Sequence, residues 1–259
     1  MNQPPSSLVE FGPVGTNQSV RLVLHVGPQK TGSSSLQVLL GRHRDLLTQH
    51  GVFVPPGVNE EFPGHHMVPY RLLGRTVKTL GGADTEDLAA LFSTWLVAAT
   101  KNDCGVIVVS AEDLSIMSEM AWRELGQILT EAQALSGVSV SSLDLVVVER
   151  NREDRARSGA NELVKHGATA PIPRLVKKIE QDDKIIDKIM GKLPRILPLP
   201  TVMIHVQFDG DNLMRRWIAQ VLGDSIAETL PPTAFDVIIN PAMADTTIEQ
   251  LRKFNELNS

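Results

Sequence analysis

The sequence predicts an α/β protein with one mostly parallel sheet covered by helices on both faces. Two observations carry this. Four short apolar runs recur along the chain: 22–26 (LVLHV), 105–110 (GVIVVS), 143–149 (LDLVVVE) and 201–206 (TVMIHV). Between and after them the apolar spacing changes from continuous to helical. Buried parallel strands read as continuous apolar runs because both faces are covered, and strand–helix alternation is how parallel strands are joined.

The first run ends at Gly27-Pro28, which marks a strand terminus. Leu36, Leu39, Leu40, Leu46 and Leu47 then recur at helical spacing, and Gly51 is placed to end that helix. Val52-Phe53-Val54 reads as a short strand. Residues 58–83 are loop-rich, with one helical piece around Met67–Leu73. Asp84 can cap a helix to about Lys101, with Leu88, Leu91, Phe92, Trp95 and Leu96 on its buried face. Further helices are expected from Ser118 to about Leu135, over Glu153–Lys165 and Arg174–Met190, and, beyond Pro194, Pro198 and Pro200, over 211–222 and Thr246–Leu257. Residues 1–20 read as a polar, disordered tail, and 21–259 as a single domain.

Composition narrows the function. Among 259 residues, Cys104 is the single cysteine, which excludes an internal disulfide and favours a reducing, cytoplasmic setting. A net charge of −5 argues against a general nucleic-acid partner. No apolar run approaches the roughly 20 residues that span a bilayer.

The sharpest local signal is Gly27-Pro28-Gln29-Lys30-Thr31-Gly32-Ser33-Ser34-Ser35, lying between the first strand and the first helix. Successive N–H groups at a helix start are unpaired and sit at the positive end of the helix dipole. With glycines admitting close approach, such a loop binds phosphate or sulfate. The fold is therefore P-loop-like. It is not a Walker A loop, in which lysine directly follows the second glycine, because here Lys30 precedes Gly32. Asp113, just past the second strand, is nevertheless Walker B-like, so a P-loop kinase stays in view.

VGPQKTGSSSLQ resembles the 5′-phosphosulfate loop of sulfotransferases that use PAPS (3′-phosphoadenosine-5′-phosphosulfate), whose core is similar to PKTGTTxLQ. A second likeness follows the third strand, where Arg150 precedes Ser158 as in the pair with which that family grips the 3′-phosphate. HVQFDGDNLMRRWIAQVLG and INPAMADTTIEQLRKFN are similar to C-terminal segments of bacterial members. The chain departs from them at Ala160, where an aromatic residue is common, and in the serine-only SSS.

The resemblance implies PAPS as co-substrate, PAP (3′,5′-ADP) as product, and Gln29, Lys30, Thr31, Gly32, Ser33, Ser34, Arg150 and Ser158 as the nucleotide contacts. It calls for no metal. Transfer of a sulfuryl group builds charge on the bridging oxygen, where a cation such as Lys30 lowers the barrier. The acceptor must lose a proton, so a general base is needed. Glu112, at a strand end within Ser110-Ala111-Glu112-Asp113, is the first candidate and His66, in His65-His66, the second. His25 reads as a satisfied core histidine. With aromatics at 4%, a polar acceptor such as a carbohydrate hydroxyl is preferred over a planar phenol. The alternatives are a nucleotide-binding or interaction protein of the same fold without turnover, and the atypical kinase. Oligomeric state is not readable.

Overall fold

The computed structural model describes residues 19–57, 63–74, 87–208, 212–236 and 245–257. Strand β1 spans Ser19–His25 and leads through the glycine loop into α1 (Ser33–Arg42) and α2 (Arg44–Gln49). The short β2 (Val52–Phe53), α3 (Met67–Leu72) and α4 (Leu88–Lys101) follow. Strand β3 (Val106–Ser110) runs into a short 3-10 helix, Glu112–Ile116, and then α5 (Glu119–Ser136). Strand β4 (Ser139–Glu149) is followed by α6 (Arg152–Lys165), α7 (Ile172–Met190) and the short α8 (Leu193–Ile196). Strand β5 (Thr201–Gln207), α9 (Leu213–Leu222), α10 (Asp224–Thr229) and α11 (Asp245–Leu257) complete the order.

All strand pairs are parallel, in the order β2-β3-β1-β4-β5. The sequence therefore yields the expected α/β sheet. Side chains alternate across it with the strand period. Leu22 and Leu24 of β1, Ile107 and Val109 of β3, and Leu143 and Leu145 of β4 join one core with Phe92, Trp95, Trp122 and Leu125 of α4 and α5. Val23, Val108, Val146 and Val148 face the other way, against Leu36, Leu39 and Leu40 of α1 and Trp217 and Ile218 of α9. Placing β1 between β3 and β4 brings three strand ends and their loops to one edge, where ligands of such sheets bind.

Several boundaries differ from the sequence reading. Ser19 and Val20 belong to β1, pairing with Ser139 and Val140, because Val20 is buried in the core rather than part of a tail. The helix expected through Leu47 breaks at His43, whose backbone (φ −107, ψ 19) is not helical. Beyond the break, Arg44 donates to the carbonyls of Val54 and Pro55 and so aims α2 at β2. Helices α8 and α10 carry too few periodic residues to be read from sequence. The cap of α4 is Asp87, which accepts from the Ala89 N–H at 2.9 Å. The capping role expected of Asp84 lies outside the described residues, as do Asp209 and Asn240 of the C-terminal resemblance and most of the N-terminal tail.

One ion pair spans the sheet and its helical cover. Asp144 of β4 is buried among apolar residues, 2.8 Å from the Arg21 guanidinium, which also donates to the Val221 carbonyl at the end of α9. Removing the arginine would strand a buried carboxylate. Arg21→Ala should lower unfolding free energy by about 2 kcal/mol, below the full cost of breaking a buried pair because Arg21 is partly exposed. Arg21→Ala with Asp144→Leu should recover much of that loss in urea denaturation. An Arg21→Ala protein as stable as wild type would show that the pair is surface-like.

Candidate functional site

The loop after β1 is shaped by two backbone features. Lys30 and Gly32 both take left-handed conformations, at φ 69 and 85. Glycine does so freely, whereas lysine is strained by about 1 kcal/mol. Such strain is characteristically held at functional positions. A Cβ on Gly32 would also fall 2.8 Å from Leu213 Cδ2 of α9. At Gly27 a Cβ would crowd His25 Nε2 (3.0 Å), Thr31 Oγ1 and the Val148 amide, so the loop can lie directly on β4 only because that residue is glycine.

Helix α1 begins without a side-chain cap and without an acidic residue in its first turn. Helix α6, by contrast, is capped by Asn151 and carries Glu153 and Asp154 in its first turn. The first amides of α1 are thus left to an outside acceptor. Beside them the Ser33 hydroxyl is buried without a hydrogen-bond partner among the described residues, which is costly unless something binds there. The Thr31 hydroxyl donates inward to the Pro28 carbonyl at 2.7 Å, so its side chain braces the loop and leaves its amide for a ligand. Ser34 is half-buried in the same turn.

Three neighbouring segments grip the loop. From the end of β4, Arg150 donates to the Lys30 carbonyl at 2.9 Å, and its guanidinium stacks over the Phe208 ring at 4.7 Å. From α6, Glu162 holds the Lys30 ammonium at 3.0 Å. From the 3-10 helix after β3, Asp113 accepts from the Gln29 amide at 3.1 Å. The strand-end arginine thus lies beside the loop, as its sequence position led one to expect. Ser158 is half-buried on α6, one turn before Glu162 and hence on the face turned toward Lys30. Ala160 does not face this site, since it is buried in a small core with Val164, Leu175 and Ile248.

The two candidate bases belong to one network. His66 Nδ1 lies 3.2 Å from Asp113 Oδ2, and its Nε2 lies 3.7 Å from Glu112 Oε2. Gln37 of α1 donates to the same Glu112 oxygen at 2.8 Å. Burial pulls the His66 pKa down, but the hydrogen bond to Asp113 and the charge of Glu112 outweigh it, so it is raised above 6.5. The matching shift is seen in Asp113: burial pushes it up, and bonds from His66, Tyr70 and Gln29 hold it below the ordinary value. Both directions describe one ion pair. Asp113 was singled out from sequence only as Walker B-like, and Glu162 was not assigned to the site at all. A charged residue such as Glu162 in an amphipathic helix gives no sign of which loop it will reach.

The other two histidines are different. His65 is fully buried, accepts from the Ser110 amide through Nδ1 (3.0 Å) and donates from Nε2 to the Pro55 carbonyl (3.0 Å). It staples the segment bearing His66 to β3. His25 meets the Ser110 hydroxyl at 2.8 Å, but its Nε2 has no partner among the described residues, so it is buried as expected and only half satisfied there. Burial lowers both to about 4.

The chain matches no known family model and no curated protein. Geometry therefore carries the functional reading. Among the described residues no helix is long and apolar enough to cross a membrane.

The buried histidines predict how stability responds to acid. Their folded pKa, about 4, lies below the ordinary 6.5, so the unfolded chain binds more protons between those values. Their contribution is complete above about pH 6.5 and is lost as pH falls toward about 4, at roughly 3 kcal/mol per histidine over the whole window. Urea midpoints should fall steeply across this range, and less steeply in His65→Gln. Equal slopes in the two proteins would contradict the assignment.

Proposed function

We propose that the protein binds PAPS at the loop after β1 and transfers its sulfuryl group to an acceptor hydroxyl, a carbohydrate or another polar acceptor being preferred. The observation that carries this reading is the contact of Arg150 with the Lys30 carbonyl. It sets a strand-end guanidinium beside an uncapped helix start, as a ligand with two separated phosphates requires.

In this reading the amides of Thr31, Gly32, Ser33 and Ser34 hold the 5′-phosphosulfate, with the Ser33 hydroxyl gaining the partner it lacks. Arg150 and Ser158 hold the 3′-phosphate, and Gln29 flanks the loop. Lys30 leaves Glu162 and turns to the bridging oxygen. The acceptor oxygen bonds to sulfur as the bond from sulfur to the bridging oxygen breaks, and PAP departs with that electron pair. The acceptor proton passes to the His66–Glu112 pair. A kinase reading is weaker, because Asp113 is already engaged by His66 and Gln29, and Lys30 stands in the wrong place for a Walker loop.

PAP should raise the melting temperature more than ADP does, because Arg150 and Ser158 read the 3′-phosphate. At a hundredfold excess over Kd the stabilisation should be about 2.7 kcal/mol. Equal shifts with PAP and ADP would sink the assignment of that pair, and a larger shift with ATP and Mg²⁺ would favour a kinase.

Lys30→Ala should lower kcat by about 10²–10³ while weakening PAP binding much less. Glu112→Gln and His66→Ala should each lower turnover, by about 10²–10⁴ for the residue that takes the proton. Because the two side chains touch, their losses should not add in the double variant. Normal turnover in both Glu112→Gln and His66→Ala would show that the acceptor side lies elsewhere.

A further inference from the structure

We infer that Asp113 is a positioning residue that orients His66 and, through Gln29, links occupancy of the anion loop to the proton held by that histidine. The inference rests on the PAPS reading of the loop.

Asp113 is 5% exposed and uses its two carboxylate oxygens on different elements. Oδ2 faces His66 Nδ1 at 3.2 Å, and Oδ1 accepts from Gln29 Nε2 at 3.1 Å. A carboxylate on Nδ1 fixes which ring nitrogen carries the proton in the neutral histidine. With Nδ1–H donated to Asp113, the free lone pair is on Nε2, the atom turned toward Glu112 and the acceptor side. Asp113 therefore sets both the tautomer and the direction of the ring without touching substrate.

The second oxygen supplies the link. Gln29 sits in the anion loop itself, exposed on its outer side, and lends its amide to Asp113. A phosphosulfate at the loop competes for that amide donor. When Gln29 turns to the ligand, Asp113 loses a stabilising donor and its charge acts more fully on His66. The ligand's own negative charge acts in the same direction. Among the described residues, the charged groups facing His66 are Glu112 and Asp113 from the 3-10 helix, while α3 and its approach contribute the Tyr70 ring at 5.9 Å and the neutral, buried His65. These two changes on loading strengthen proton binding at His66. By reciprocity a protonated His66 strengthens nucleotide binding, and loss of that proton after product release weakens it.

The test is a histidine-selective NMR titration of His66 with and without saturating PAP, in wild type, Asp113→Asn and Gln29→Ala. In wild type, PAP should raise the proton-binding constant of His66 about fivefold, at the low end of ordinary coupling between sites. Gln29→Ala should still bind PAP with a smaller rise. Asp113→Asn should titrate at lower pH than wild type even without ligand. Because Gln29 is exposed, its variant tests the link even if the buried Asp113 substitution prevents folding.

A His66 midpoint unchanged in Asp113→Asn would overturn the positioning role. PAP that binds without moving the His66 midpoint would overturn the link and leave the PAPS reading standing. PAP that perturbs no resonance would overturn the PAPS reading and the link with it.

Discussion

The hydrogen bond from Arg150 to the Lys30 carbonyl is the constraint around which the site is arranged. Lys30 adopts a left-handed backbone that a lysine would leave if free. A bond from a charged donor contributes about 1.5–3 kcal/mol, enough to offset that strain. It forms because β4 lies beside β1 in the sheet, so residue 150 emerges next to residue 30 although 120 positions separate them. The turn so held leads directly into the uncapped start of α1. Loop geometry, helix start and strand order are thus consequences of one another.

A second fixed point is Ser110 at the end of β3. Its carbonyl accepts from the His65 amide, its own amide donates to the His65 ring, and its hydroxyl meets His25. Three histidines cluster at this edge of the sheet, and their environments separate them. His25 and His65 are enclosed and held neutral, while His66 stands between two carboxylates and is drawn toward its charged form. The chemistry available to His66 depends on the inertness of the adjacent His65, which anchors the segment that carries it.

The fold was legible in sequence where periodicity was strong. The buried strands are continuous valine and leucine runs, and the helix expected from Ser118 to about Leu135 is α5, capped by Ser118 and ended at Gly137. Helices α8 and α10, of four and six residues, are too short to show a period. The glycine loop could be singled out because its signal is local: glycines, a lysine and serines between a strand and a helix. The network around His66 could not be read fully because it is assembled from distant parts. Glu112 and His66 looked like rival candidates, and only tertiary contact shows them sharing one network with Asp113. Glu162 was hidden for the same reason, since its partner Lys30 lies on another element. His25 was expected to be satisfied, but its second nitrogen lies under the loop, where Gly27 leaves no side chain to meet it.

Glu162 has more than one cation within reach. Besides Lys30 at 3.0 Å, it lies 3.5 Å from Lys165, and these two charges, Lys30 foremost, overcome its burial to hold its pKa below the ordinary range. A carboxylate so surrounded is not orphaned when one partner leaves. Detaching Lys30 leaves Glu162 its pair with Lys165, so the loss is that of one partly exposed ion pair, on the order of 1 kcal/mol or less. The lysine is therefore parked rather than locked. Its flexible stem can carry the charge to a new anion by side-chain rotation alone, with the backbone of the loop left where Arg150 holds it.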